Sequence, residues 1–257
     1  MSSDTWMPDA LSSELRYYKG PCWRFVEAQH LVSTLKLVDT LAEQRLLEEL
    51  IEKTKPPMPP ECRQLDYLLA TPFRYEPEYP KGSRFRRAGK TPGVYYAAEN
   101  PETAAAEMAF YRLLFFAESP ATPWPSNALE FSAFAALVST DALIDLTKPP
   151  FEKDRTQWID PINYEPCQVL AEKSREAGAE IIRYESVRDP KQGSCLAVLM
   201  CRAFSEPRPV ESQTWRLHFS SSGVQAIREF PYYAVEFERE ALVKDPRIAN
   251  FEWDRPQ

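Results

Sequence analysis

The sequence predicts a mixed α+β fold. Helical and extended patterns alternate along the 257 residues, but the predicted strands are too irregularly spaced for a doubly wound parallel sheet. The chain is long enough to bury a sizeable core. Its content of 44% hydrophobic and 12% aromatic residues is ordinary for a globular protein. We therefore expect one folded domain, preceded by an extension.

The extension is predicted to occupy residues 1–62, and the main domain residues 63–257. Residues 1–22 are polar and irregular, which is typical of a loosely held terminus. Apolar residues then recur at helical spacing from Val26 to Lys53, which predicts one long helix or two shorter ones. The segment KPPMPP at 55–60 ends this helical region, because proline lacks the amide donor and clashes with the preceding turn.

The main domain combines predicted strands with two predicted helices. The first helix starts at Pro101, with Asn100 as its N-cap, and runs to about Phe116. The second starts near Pro166 and stops at Gly178, where glycine adopts the left-handed conformation that ends many helices. An apolar stretch at 65–75 is ambiguous, and a Pro/Gly-rich loop follows it to Gly82. Strands are predicted at 94–98, 129–139, 143–146, 181–186, 195–201, 215–219 and 233–238.

Composition excludes several classes of function. The net charge is −7 and no long run of Lys or Arg occurs, which argues against nucleic acid or an anionic membrane as the main partner. No apolar segment reaches about 18 residues, and acidic residues interrupt the first 25 positions, so we expect neither a membrane span nor a signal sequence. The sequence is therefore interpreted as that of a cytoplasmic protein.

The cysteine, histidine and glycine patterns exclude the usual cofactor sites. The five cysteines are scattered without a CxxC motif, which favours reduced thiols over a disulfide framework or a thiolate metal site. There are two histidines and no HExxH, so we expect no metal. The seven glycines form neither GxGxxG nor GxxxxGK[ST], so a nucleotide would have to bind by another route.

Glu107 is the first candidate for chemistry. On the helix from Pro101, its neighbours at i±3 and i±4 are Thr103, Ala104, Phe110 and Tyr111, so its carboxylate lies on or beside the apolar stripe. A carboxylate there needs a hydrogen-bond or charge partner, or faces a cleft. The alternative is that Glu107 sits at the edge of the stripe and pairs with Arg112 or another surface arginine.

A basic loop and a tyrosine pair precede this helix. Arg84, Arg86 and Arg87 crowd the loop RFRR, which suits phosphate binding but is equally typical of a solvated surface. Tyr95 and Tyr96 alternate across a strand, so one faces the core and the other faces outward or into a cleft. There, an aromatic ring stacks well on a flat heterocycle.

Four motifs in order, GSRFRRAG, GVYYA, ETAAAE and, about 80 residues later, YESVRDP, resemble the RES-domain family, which is named for its Arg, Glu and Ser. The resemblance covers roughly residues 63–205. It implies a core similar to ADP-ribosyltransferases, a split β-sheet with flanking helices and here a helical N-terminal extension. It also implies NAD⁺ as substrate, with no cofactor beyond NAD⁺. Members are commonly toxins of toxin–antitoxin pairs with an Xre-type antitoxin partner.

The family residues fall on Arg84, Tyr96, Glu107 and Ser186, with Arg86 and Arg87 as rivals of Arg84 and with Arg87 as a further expected NAD⁺ contact. The resemblance implies that Glu107 stabilises a cationic ribose, that Arg84 neutralises the pyrophosphate, and that Tyr96 stacks on nicotinamide. Ser186 is expected to bind substrate or orient Glu107. Without the resemblance, it is a strand-end serine that caps a turn.

The resulting expectation is an NAD⁺-degrading toxin that cleaves the nicotinamide–ribose bond by phosphorolysis or hydrolysis. Transfer of ADP-ribose to a cellular protein is the alternative within enzymes. A non-catalytic module that binds a nucleotide or an antitoxin is the alternative outside them. The helical extension is also compatible with a homo-oligomer, and the sequence leaves the acceptor open.

Overall fold

The computed structural model describes residues 6–27, 37–75 and 82–254, and shows helices packed on one eight-stranded sheet. The strands are β1 (Arg16–Glu27), β2 (Tyr95–Ala98), β3 (Leu129–Asp145), β4 (Ile181–Glu185), β5 (Ser194–Val198), β6 (Glu211–Ser220), β7 (Gly223–Arg228) and β8 (Tyr233–Glu238). The α-helices are α1 (Pro8–Ser13), α2 (Leu41–Thr54), α3 (Tyr67–Ala70), α4 (Pro101–Glu118), α5 (Arg155–Trp158), α6 (Glu165–Glu176) and α7 (Arg239–Leu242). Short 3₁₀ helices lie at Pro60–Cys62, Thr71–Arg74, Phe151–Asp154 and Cys201–Ala203. The mixed α+β class is confirmed.

The sheet closes on itself through β3. Its strand order is β1-β2-β5-β4-β3-β6-β7-β8, and β1 also pairs with β3, so that the strands from β1 to β3 in this order form a ring. The end of β3 runs parallel to β4, whereas its earlier part lies antiparallel between β1 and β6. The strands β6, β7 and β8 continue as an antiparallel meander. The finer likeness to an ADP-ribosyltransferase core stays a prediction.

The prediction of a loosely held terminus over residues 1–22 is wrong for residues 6–22, and residues 1–5 lie outside the described part of the chain. α1 lies here, and β1 pairs with β3 from Tyr18 opposite Thr140 to Glu27 opposite Phe131. Gly20 and Pro21 interrupt the strand pattern in the sequence, so the pairing partner stabilises this strand where its own propensity does not. The domain boundary after residue 62 stays a prediction, although β1 shares a sheet with later strands.

The helix predicted from Val26 to Lys53 is partly wrong. Val26 belongs to β1, and residues 28–36 lie outside the described part of the chain. α2 begins only at Leu41, after Thr40 and Glu43 form a reciprocal capping box. It ends at Thr54, so the termination predicted from KPPMPP is confirmed.

The predicted strand at 94–98 and the predicted helix from Pro101, which carry two of the candidate residues, are confirmed. β2 covers Tyr95–Ala98, and the side chain of Asn100 accepts a hydrogen bond from the amide of Thr103 at the start of α4. α4 packs on β1, β2 and β5 through a buried face rich in alanine. This packing places one side of the helix against these three strands.

The later elements match the sequence less closely. The two strands predicted at 129–139 and 143–146 are one strand, β3, and β7 was not predicted. α6 is confirmed, and Gly178 has φ +83° beyond its end. The ambiguous 65–75 stretch forms α3 and a 3₁₀ helix, and part of the loop before Gly82 is not described. Among the described residues, no helix is both long and apolar enough to cross a membrane.

Candidate functional site

A cavity of about 240 Å³ lies between α4, β1, β2 and the loop that contains Arg84. Three of the predicted site residues line it, namely Arg84, Tyr96 and Glu107. Ser186 reaches the same place through a hydrogen bond to Glu107. The fold therefore brings together four residues that the sequence spreads over about 100 positions.

Glu107 lies on the α4 face that is turned toward this cavity. Its Oε1 accepts a hydrogen bond of 2.6 Å from the hydroxyl of Ser186, and the thiol of Cys195 lies 3.8 Å away. Burial raises the pKa of Glu107 above its ordinary value, although the Ser186 hydrogen bond and the charges of Arg188 and Arg84 oppose the rise. The alternative pairing with Arg112 is wrong, because Arg112 forms an ion pair with Glu27.

Ser186 caps a turn and contacts Glu107 at the same time. Its Oγ accepts hydrogen bonds from the amides of Arg188 and Asp189 at 3.2 and 3.1 Å. With both acceptor positions occupied by the turn, the hydroxyl proton is free to point at the carboxylate of Glu107. The turn-capping interpretation is therefore confirmed. A role in substrate chemistry stays a prediction.

The loop that follows Ser186 is held against α4 by hydrogen bonds to Asp189. Asp189 accepts hydrogen bonds from the Thr103 hydroxyl at 2.7 Å and from the Gly193 amide at 3.2 Å. A Cβ on Gly193 would stand 2.0 Å from Thr103 Oγ1, so the close approach requires glycine. This contact fixes Ser186 relative to Glu107.

Of the three neighbouring arginines, Arg84 lies in the cavity lining that the structure describes, whereas Arg86 and Arg87 do not. The guanidinium of Arg84 donates to the carbonyl of Trp158 at 2.7 Å and lies 4.6 Å from the ring centroid of Tyr164. Arg87 instead pairs with Glu172 at 2.6 Å. A solvated surface is the wrong interpretation for Arg84 and Arg86, which are both buried. This placement favours Arg84 as the substrate contact.

Tyr95 and Tyr96 divide between core and cavity, as their alternation predicts. Tyr95 is fully buried in the core, and Tyr96 lines the cavity. The Tyr96 hydroxyl is hydrogen-bonded to Ser83 Oγ at 2.8 Å and accepts from the amide of Phe85 at 2.9 Å. Burial raises the pKa of Tyr96 to about 12. The phenol thus holds the arginine loop in place beside its own ring.

Arg24 is a cavity residue that the sequence did not reveal. It lies on β1, donates to the carbonyl of Tyr96 at 3.4 Å, and has its guanidinium 4.9 Å from the Tyr95 ring centroid. Across the described parts of the chain, no carboxylate pairs with it, and desolvation lowers its pKa. An uncompensated cation at a cavity wall favours an anionic ligand. The strand that carries Arg24 was not predicted, because the neighbouring residues 1–22 show no strand pattern in the sequence.

A second cavity of about 280 Å³ lies beyond Ser186, against the C-terminal segment. Arg188 forms a buried ion pair with Asp245, and its guanidinium lies 4.0 Å from the ring centroid of Phe110. Arg247 pairs with the same carboxylate at 3.1 Å. This network fixes the positive charge of Arg188, which partly offsets the rise that burial causes in the pKa of Glu107. Asp245 lies outside every motif, so the sequence offered no signal for it.

Comparison with known proteins identifies the family. The family model described as the RES domain matches residues 58–220. No curated protein matches the chain. Among solved structures, the crystal structure of the M. tuberculosis MbcT–MbcA toxin–antitoxin complex contains a chain with 12% sequence identity and a TM-score of 0.42, over 91% of this chain and 96% of that chain. Because the RES-domain model matches more than half of the sequence, this chain belongs to the RES-domain family.

Proposed function

We propose that this protein is an NAD⁺-degrading enzyme that cleaves the bond between nicotinamide and ribose, and that it acts as the toxin of a toxin–antitoxin pair. The observation that carries the proposal is the position of Glu107. Its carboxylate is partly buried in a cavity that also contains two arginines, and it accepts a hydrogen bond from Ser186. A family resemblance in the sequence and the match to the RES domain support the same chemistry.

Glu107 supplies the negative charge that the reaction needs. As the C–N bond breaks, its electron pair leaves with neutral nicotinamide, and the ribose becomes an oxocarbenium-like cation. A nearby carboxylate stabilises that charge more strongly than it stabilises the ground state. An oxygen of phosphate or water then forms the new bond to ribose. Ser186 keeps the carboxylate in position through its 2.6 Å hydrogen bond.

The two cavity arginines suit the pyrophosphate of NAD⁺. Arg84 and Arg24 approach from different elements, the loop before β2 and strand β1, and both line the cavity. A guanidinium presents several donors in a fixed fork, which matches phosphate oxygens. Arg87, which was also expected to contact NAD⁺, is held by Glu172 away from this lining. We therefore assign the pyrophosphate to Arg84 and Arg24.

The ring of Tyr96 is assigned to stacking on nicotinamide. The hydroxyl is already hydrogen-bonded to the arginine loop, so the ring is held in one orientation and loses little freedom when a ligand arrives. Aromatic faces bind flat heterocycles by stacking. The same residue then positions both the loop and the leaving group.

The proposal is tested with purified protein, NAD⁺ and phosphate, by following the release of nicotinamide. We expect release by the wild type and a loss of about 100-fold or more in Glu107→Gln. The matched control is Glu118→Gln, on the exposed side of the same helix, which should match the wild type. Absence of release by the wild type, or equal release by the two variants, contradicts the proposal.

The same samples separate the alternatives. Phosphate-dependent release indicates phosphorolysis, and phosphate-independent release indicates hydrolysis. ADP-ribose found by mass spectrometry on cellular proteins indicates protein modification instead. NAD⁺ binding in calorimetry without turnover indicates a binding module.

The toxin role includes an antitoxin partner of the Xre type, since uncontrolled loss of NAD⁺ harms the cell that makes the enzyme. Expression of the wild type should arrest growth, and Glu107→Gln should not. Co-expression of a small helix-turn-helix protein encoded beside this gene should restore growth. Growth arrest that is the same for both forms contradicts a toxic role for the cavity.

A further inference from the structure

A third cavity lies apart from the proposed NAD⁺ site. Its volume is about 460 Å³, and residues of α6, of the 3₁₀ helix Pro60–Cys62 and of the segment after β5 contribute to its lining. None of its lining residues lines the cavity of Glu107. The four sequence motifs also contribute no lining residue, so this cavity is formed by parts of the fold that the proposed function does not use.

Arg175 lines this cavity from the last turn of α6. Its terminal nitrogens donate to the carbonyls of Leu199 at 2.9 Å and Gly93 at 3.3 Å, whereas its buried Nε has no hydrogen-bond partner within the described part of the chain. The ion pairs that the described residues form do not include Arg175. Burial lowers its pKa to about 10, so the guanidinium stays charged at neutral pH. An uncompensated cation at a cavity wall favours an anionic ligand.

The other charged residues of this lining limit the ligand to a single negative charge. Arg202 forms an ion pair with Glu180 at 2.6 Å, so Arg175 is the cation of the described lining that is left to match an anion. Glu61 stands in the same lining and repels a second negative charge. Arg202, Glu61 and Pro92 are exposed, so the cavity opens to solvent on their side. A carboxylate therefore suits this cavity better than a doubly charged phosphate.

Most of the remaining lining is apolar. The side chains of Phe73, Leu199 and Cys201 are buried, and Met200 beside them is partly buried. Such surfaces favour the burial of a hydrocarbon body next to the charged group. Since a water molecule occupies about 30 Å³ in the liquid, the cavity has room for a ligand of roughly ten to fifteen non-hydrogen atoms.

Backbone contacts hold the wall of this cavity in place without a ligand. The amide of Leu199 donates to the carbonyl of Glu180 at 2.8 Å, while the carbonyl of Leu199 accepts from Arg175. A Cβ on Gly93 would stand 1.9 Å from the carbonyl oxygen of Pro72, so the segment before β2 packs directly on the chain that carries the Phe73 ring. A site that is formed in advance loses little conformational freedom when it binds.

We propose that this cavity binds a small amphipathic monocarboxylate, whose carboxylate pairs with Arg175 and whose apolar body lies against Phe73, Leu199 and Met200. The site is separate from the proposed NAD⁺ chemistry and does not depend on it. The guanidinium retains donors beyond the two that the carbonyls accept, and a carboxylate accepts such donors in charge-assisted hydrogen bonds. Binding thus offsets the cost of burying the charge of Arg175.

The test uses 4-phenylbutyrate as the probe, because it joins one carboxylate to an apolar body of suitable size. Saturation-transfer NMR titrations of the purified wild type compare it with the neutral 4-phenyl-1-butanol and the doubly charged 2-phenylethyl phosphate. We expect a Kd of about 1 mM or lower for the carboxylate. Each of the other two probes should bind at least about tenfold more weakly, since a hydrogen bond to a charged group contributes that much. Equal or tighter binding of either one, or no saturable binding of 4-phenylbutyrate, overturns the inference.

Matched variants locate the bound probe. Arg175→Met should raise the Kd for 4-phenylbutyrate at least about tenfold, whereas Arg24→Met, the same change in the NAD⁺ cavity, should leave it unchanged. The reverse result overturns the placement. Because Arg175 also holds Leu199 and Gly93 in place, Met200→Trp gives a second test, in which the larger side chain fills the cavity and the charge remains. Binding to Met200→Trp with the wild-type Kd overturns the inference, and nicotinamide release is not needed as a readout.

Discussion

At the scale of the residue, Glu107 shows what a sequence pattern can and cannot reveal. Helical spacing placed its carboxylate beside an apolar stripe, which predicted a partner or a cleft. Helical spacing could not identify the hydrogen-bond partner of Glu107, because Ser186 lies 79 positions away and is brought close by β4. The family resemblance supplied Ser186, and the structure adds Arg188, which neither source indicated.

The hydrogen bond from Ser186 should set the pH dependence of NAD⁺ cleavage. The ionised form of Glu107 is the active one, so activity should fall as the pH drops through its folded pKa, which lies above the ordinary value. Ser186→Ala removes a bond that lowers this pKa, so the acidic limb of the kcat/KM profile should move to higher pH. Exposed Ser212→Ala serves as control. An acidic limb unmoved by Ser186→Ala contradicts this coupling.

Arg24 should contribute to substrate binding. Arg24→Met keeps much of the side-chain volume and removes the charge, so we expect KM for NAD⁺ to rise about 10- to 100-fold, the loss typical of a charged hydrogen bond. Initial-rate kinetics measure it, with exposed Arg208→Met as the control. An unchanged KM means that the uncompensated charge has another role.

At the scale of the element, capping and proline signals predicted helix ends better than periodicity predicted strands. Asn100 and Gly178 mark ends of α4 and α6 because their effects are local. β1 depends instead on a partner more than 100 residues away in β3. Its Gly20 and Pro21 therefore hide the strand from any local signal, and with it the position of Arg24.

The loop from Ser186 to Gly193 should tolerate no side chain at its end. In Gly193→Ala, the new Cβ would stand 2.0 Å from Thr103 Oγ1 and 2.6 Å from Asp189 Oδ2. The hydrogen bond between Thr103 and Asp189, which holds the loop against α4, must therefore break. We expect a loss of about 1–3 kcal/mol in the free energy of unfolding, measured with urea, and a decrease in NAD⁺ cleavage. Gly20→Ala is the control, since the nearest atom to its new Cβ is the hydroxyl oxygen of Tyr18 at 3.3 Å, which has to shift by only a few tenths of an ångström. Equal stability of the two variants contradicts a stabilising role for the contact between this loop and α4.

At the scale of the whole molecule, a polar network joins the strands of the ring. Arg183 on β4 donates to both carboxylate oxygens of Glu99, at 2.7 and 2.8 Å, and also reaches Asp145 at the end of β3. The Tyr18 hydroxyl on β1 donates to Glu99 at 3.0 Å. The sequence predicted the mixed class from element patterns, but no local pattern specifies such a closure between distant segments.

This network should make stability depend on pH. Burial alone would raise the pKa of Glu99, but the bonds from Arg183 and Tyr18 outweigh it and hold the pKa below its ordinary value. The stabilisation is therefore complete above the unfolded-state pKa, near 4.3, and is lost as the pH falls through the folded pKa. In urea titrations, Glu99→Gln should cost about 1 kcal/mol at neutral pH, and this difference should vanish in acid. Exposed Glu206→Gln should cost nothing at either pH. A Glu99→Gln deficit of the same size at every pH means that Glu99 acts through packing rather than through its charge.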